Sequence, residues 1–314
     1  MAAEGIISEK LEESKVFRRN AYIIIDEMLE MSKQKTQEDT TVLVDEILHS
    51  IFFLGKINKP PISPERILGD RTDEVRALYP EPFKRCSSQL PRRSPFSCVL
   101  DMFVHLIGHK KEEDIKRALQ VLISYLRKDT KSKCLFSFTI CISQATENSV
   151  RYYGVSMSTS GRDAGRIMVA ASCCSAWDEY VAGAVMTYFP NKHKNIDGTI
   201  RLPENVRCEA FSLSDPKAMP PCRSCVTLFS LPMNNTDTGK YPYGNCAEVE
   251  SLSNLFKSNR RVKQRARPAS ESWTEMNKDK RKRVVLKELK RLLDTVDFKW
   301  DENFYEPKSA RKTN

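Results

Sequence analysis

Three cysteines and one glutamate are the residues of this chain best suited to joint chemistry. Cys222 and Cys225 stand in Pro221-Cys222-Arg223-Ser224-Cys225, two thiols at chelating spacing. Cys246, 20 intervening residues after Cys225, stands in Asn245-Cys246-Ala247-Glu248 and supplies a third thiol with a carboxylate two positions on. Three thiolates around Zn²⁺ leave one tetrahedral position free. A glutamate that is not itself a ligand can then carry protons to and from a water held there.

Such a centre needs helices that aim their first turns at one point. Proline is tolerated at the first helical position, so Pro220-Pro221 predicts a short helix bearing Cys222 and Cys225. Helix amides at its start would stabilise thiolate charge. A second helix is expected to begin at Cys246 and continue through Val249, Leu252 and Leu255, entered by a turn at Gly244-Asn245. Upstream, the β-branched and aromatic run Cys134–Ile142 predicts a buried strand, and strands are also expected over Val150–Ser158, Arg166–Ala171 and Val206–Leu213. Helices fit Val99–Ile107, Glu112–Leu126 and Ala176–Phe189. The expected fold is α/β, a mixed β-sheet covered by helices.

Pro-Cys-x-x-Cys together with Cys-x-Glu at a helix start resembles the zinc-dependent cytidine deaminase-like superfamily. The resemblance covers roughly residues 134–257, under half the chain. It implies a deaminase-like fold, Cys222, Cys225 and Cys246 as Zn²⁺ ligands, and Glu248 as the catalytic proton carrier while water attacks a base and ammonia leaves. The substrate class it implies is a nucleobase, free or within nucleic acid. The motif order departs from the family, where the glutamate motif usually precedes Pro-Cys-x-x-Cys, on the helix after the second strand. Here that helix begins Cys173-Cys174 and carries no Cys-x-Glu. Two arrangements stay open: the glutamate helix sits elsewhere on the sheet, or Cys173 or Cys174 supplies the third ligand. Cys208 as a fourth ligand would give a closed, structural zinc site instead. Cys222 and Cys225 would also serve as a redox pair.

Outside this stretch, residues 1–58 read as a helical N-terminal region, with Ile7, Leu11, Ile24, Ile25, Met28 and Leu29 as an apolar stripe. Residues 59–93, rich in proline and charge, read as a linker or extended segment. Residues 94–257 form the expected deaminase-like domain, and 258–314 a basic helical C-terminal tail with an amphipathic helix at Arg281–Leu293.

Charge is concentrated in that last part. The net charge of +10 is matched by the Lys257–Arg291 segment alone, with 14 Lys/Arg against 4 Asp/Glu. The segment suits RNA, DNA or another acidic partner. Ten cysteines in 314 residues are too sparse for a disulfide framework and fit a reducing compartment. No apolar run approaches the roughly 20 residues of a membrane span, and neither a secretory signal nor a membrane partner is expected, so the expected location is cytoplasmic or nuclear. His105 and His109 share a helix face without a third ligand, and His49 is isolated. The rival to an enzyme is a non-enzymatic interaction protein whose Cys-x-x-Cys is metal-free or holds a structural zinc, with a partner-binding basic tail.

Overall fold

The computed structural model of the chain describes residues 2–34, 39–128, 134–192, 195–215, 217–232 and 239–311, with side chains from residue 11 onward. Helix α1 (Ala2–Ser32) buries Phe17, Ile24, Ile25 and Met28, whereas Leu11 of the expected stripe is exposed. Beside it runs α2 (Thr41–Ile57), whose buried residues occupy nearly its whole circumference, as expected of a central helix.

Where the sequence predicts an extended linker, the chain folds into α3 (Pro64–Leu68), α4 (Thr72–Leu78) and α5 (Pro80–Arg85). The prolines do not break these helices because Pro64 and Pro80 sit at their starts, where no intrahelical N–H is missing. Ser63 caps α3, accepting from the Arg66 amide. Then come α6 (Pro95–Ile107), packed on α2, and α7 (Glu112–Leu126), which buries Ile115, Leu119, Leu122, Ile123 and Leu126.

The sheet is small and entirely antiparallel among the described residues. Its strands are β1 (Thr139–Gln144), β2 (Arg151–Val155), β3 (Arg207–Ser212) and β4 (Ala218–Met219), in the order β2-β1-β3-β4. Register pairs Cys141 with Gly154 on one side and with Ala210 on the other. The expected mixed sheet is therefore corrected. β2 and β3 point the same way but flank β1, so the helical crossover between them makes no parallel ladder.

That crossover holds α8 (Arg162–Ser175) and α9 (Glu179–Tyr188). A strand predicted over Arg166–Ala171 is instead the middle of α8. Its apolar residues recur as Ala164, Ile167, Met168 and Ala171, a helical spacing that a short window reads as a continuous apolar run. The strand predicted from Cys134 begins only at Thr139. Residues Cys134, Leu135 and Phe136 are buried but irregular, with Leu135 at φ 68°.

Helix α10 (Arg223–Phe229) precedes α11 (Ala247–Ser258), which lies across β1, β2 and β3. After α12 (Arg260–Arg265) comes α13 (Glu275–Thr295), docked on α8 and α9 through Val285, Leu289, Leu292 and Leu293. The C-terminal residues return to the N-terminal helices. Phe304 bridges to Leu90, the Tyr305 hydroxyl donates to Asp45 at 2.6 Å, and the Tyr305 ring stacks on buried His49 at 3.8 Å. Among the described residues no helix is long and apolar enough to cross a membrane.

Candidate metal centre

Cys222 is the residue immediately before α10, extended at φ −73°, ψ 161°, and Cys225 lies in the helix's first turn. Cys246 holds the same place before α11, at φ −82°, ψ 149°. Gly244 makes the entry turn at φ 92°, where an L side chain is strained. The Met157 amide then donates to the Asn245 carbonyl at 2.8 Å, pinning the turn to the end of β2.

The sulfurs of Cys222, Cys225 and Cys246 all lie within 4.8 Å of one another, and Cys222 and Cys246 are 3.3 Å apart. Tetrahedral Zn–S bonds of ~2.3 Å place sulfurs ~3.8 Å apart. A buried three-thiol group of this size could hold a metal ion. Cys222 accepts hydrogen bonds from the Cys225 and Cys246 thiols and is pulled down to about 2, aided by the backbone amides of Cys225 and Ser224 at the helix start. The two donors are pushed well up in turn. Metal binding requires those two protons to leave.

Glu248 is only 5% exposed and lines the same cleft. Burial pushes its carboxyl up to about 7. Glu250, two residues on, is equally buried but serves the scaffold, because its Oε2 accepts the Val155 amide at 2.8 Å and ties α11 to β2. The two glutamates thus divide between cleft and scaffold. The cleft measures about 420 Å³, and its walls include Phe136, Phe138, Tyr241, Ser158 and Asn245. It is in the size range of small-molecule sites.

The other cysteine candidates stand apart. Cys208 meets Cys141 at 3.7 Å on the sheet, beside Ala210 and Ala247, and is not part of the three-thiol group. Cys173 and Cys174 belong to the last turns of α8 and face the charges of Arg281 and Lys282. His109 is occupied by the Arg151 carbonyl at 2.9 Å.

Several cleft residues lie outside the motifs. Ser158 and Tyr241 line the cleft from loops, and no spacing in the sequence marks them. Gly154 is different, because a glycine inside a strand signals a close backbone approach. A Cβ there would lie 2.3 Å from the Ser251 amide nitrogen and 2.5 Å from the Ala247 carbonyl.

Much of the basic segment is engaged internally. Lys263 pairs with Asp178 at 2.8 Å and Glu179 at 3.1 Å, and Arg291 pairs with Glu288 at 2.8 Å. Buried Arg281 donates to the carbonyls of Met186, Phe189 and Asn191. Comparison with family models, curated proteins and solved structures finds no match to this chain.

Proposed function

We propose that the chain is a zinc-dependent hydrolytic deaminase acting on a nucleobase. The observation that carries this reading is the convergence of the Cys222, Cys225 and Cys246 sulfurs at a cleft that Cys222, Cys246 and Glu248 line, although the two motifs come from different helices. Zn²⁺, when bound, supplies the Lewis acidity that makes water a nucleophile at neutral pH.

The chain's own groups do the rest. Glu248 takes a proton from the attacking water and passes it to the exocyclic amine, so that the C–N bond breaks, a carbonyl replaces the amine and ammonia departs. Phe136, Phe138 and Tyr241 enclose a flat heterocycle and keep bulk water out, while Ser158 and Asn245 offer polar contacts to its edge. A closed four-thiolate scaffold fits less well, since Cys208 is engaged with Cys141.

Glu248→Gln tests the assignment. It keeps the volume of the side chain and removes its capacity to carry protons. Ammonia release from cytosine- and adenine-bearing substrates should fall by at least ~10²-fold, with zinc content unchanged. Undiminished turnover, or loss of the metal, defeats the role given to Glu248.

A further inference from the structure

Beside the thiol cleft lies a second cavity of about 490 Å³, with Met157, Thr159 and Asn245 lining both. Tyr188 and Tyr243 form one side of this second cavity, their rings stacked at 4.5 Å with 19° between planes. Lys192 lies 5.8 Å from the Tyr188 ring centre and Lys240 lies 5.6 Å from that of Tyr243, so a lysine flanks each tyrosine. Exposed Arg162 lines the same space. Arg166 lines it too but is held by Glu288 at 2.7 Å. Among the described residues, Lys192, Lys240 and Arg162 enter no ion pair.

A separate observation lies on the thiol side. The Ser158 hydroxyl in the wall of that cleft is buried with no hydrogen-bond partner among the described residues. A buried polar group left unpaired is costly, and a ligand edge in the cleft would satisfy it.

We propose that the two neighbouring cavities together take a single-stranded nucleic acid. One base enters the thiol cleft, and the neighbouring nucleotide packs against Tyr188 and Tyr243 with its phosphates against Lys192, Lys240 and Arg162. The proposal rests on the deaminase reading of the thiol site. Aromatic rings interleaved with cations are the composition that binds single strands without duplex geometry. A mononucleotide would leave the second cavity uncovered, and a duplex would keep its bases stacked and out of reach. In the Lys257–Arg291 segment several cations are already committed to the chain itself: Lys263 to Asp178, Arg291 to Glu288, and Arg281 to the Phe189 and Asn191 carbonyls.

The test is fluorescence anisotropy of labelled single-stranded RNA and DNA decamers, with the zinc-loaded full chain carrying Glu248→Gln to prevent turnover. The triple variant Lys192→Ala/Lys240→Ala/Arg162→Ala removes exposed side chains only, and its fold is checked by circular dichroism. It should weaken binding at least tenfold and flatten the log Kd against log salt slope by about 2, near 0.7 for each phosphate no longer neutralised. Lys282→Ala/Arg283→Ala, on the basic segment, should change neither. Unaltered affinity and slope in the triple variant would overturn the proposal. So would loss of binding in the Lys282/Arg283 variant alone, or displacement of the decamer by an equal concentration of CMP or AMP. Without the Glu248 change, a triple variant that still deaminates a free nucleoside but binds strands as wild type defeats this inference alone. A chain that binds strands at this face yet holds no zinc defeats the deaminase reading alone.

Discussion

Replacing Gly154 by alanine tests whether the contact between β2 and α11 sets the geometry of the thiol site. The added methyl would lie 2.3 Å from the Ser251 amide nitrogen, 2.5 Å from the Ala247 carbonyl oxygen and 2.8 Å from the Glu250 Cβ. Ordinary contact needs about 3.5 Å or more between such atoms, so the helix must withdraw by roughly an ångström. Two of the three atoms are helix backbone and cannot step aside by changing rotamer. Overpacking of this kind costs about 1–3 kcal/mol, and the rigid partner places this case at the upper end. The functional effect is the sharper one. Ala247 sits between Cys246 and Glu248, so an ångström of helix movement is several times the ±0.2 Å that metal–ligand distances tolerate. Zinc affinity should fall ~10- to 100-fold, the scale seen when the support of a metal ligand is disturbed. Urea unfolding followed by circular dichroism reads the stability, and competition with a chromophoric chelator reads the affinity. Gly165→Ala in α8 is the control: its Cβ would meet only the Thr159 hydroxyl, at 3.4 Å, and helix propensity should leave it neutral or stabilised by up to ~1 kcal/mol. A Gly154→Ala protein with unchanged midpoint and unchanged zinc affinity would refute the claim that this contact positions Cys246.

Two further outcomes follow from buried groups elsewhere. Cys208→Ser should leave zinc stoichiometry unchanged while Cys225→Ser lowers it, because only the second thiol belongs to the converging group; X-ray absorption on the wild-type protein should find three sulfurs and one light atom around the metal. Asp45 is raised from 3.8 to about 6 by burial, although the Tyr305 hydroxyl and the Lys308 amide both donate to its Oδ1. A carboxyl with a raised folded-state pKa stabilises most at low pH, and that contribution is lost as pH rises from about 4 to about 6. Asp45→Asn keeps the acceptor and removes the charge, so its advantage over wild type should grow across that window to about 3 kcal/mol and then level off. A stability difference that does not vary between pH 4 and 7 contradicts this account.

The helical elements are the most legible in the sequence, for reasons visible in particular residues. Glu112–Leu126 has its apolar positions at helical spacing on one side, and the helix falls on those residues. Residues 59–93 mislead because proline reads as a breaker, whereas Pro64 and Pro80 sit at helix starts, where proline is favoured. Ile167–Ala171 is apolar at every position, so no period can be read within the run; the facing surface of α13 is what makes it a helix buried on both sides. Strand direction is illegible for a different reason. An α/β alternation suggests parallel pairing, but it does not say that β3 passes to the other side of β1.

The thiol site turns on the same distinction between order along the chain and place in space. The spacing Cys-x-x-Cys reports one helix start and Cys-Ala-Glu reports another, and neither motif contains information about the distance between them. That distance is fixed by residues with no chemistry of their own. Gly154 admits α11 to the sheet, the Val155 amide holds Glu250, and the Met157 amide holds the carbonyl before Cys246. These three contacts come from one stretch of β2 and the residue pair after it, so a single strand end sets where the second motif lies. Cys173 and Cys174 stand in the place along the chain where the motif order points, yet α8 carries them toward α13. Motif order is therefore a weak guide to this centre, because a helix start delivers its thiol wherever its packing partner leaves it. The residues to mutate when testing the site's architecture are the strand contacts as much as the cysteines.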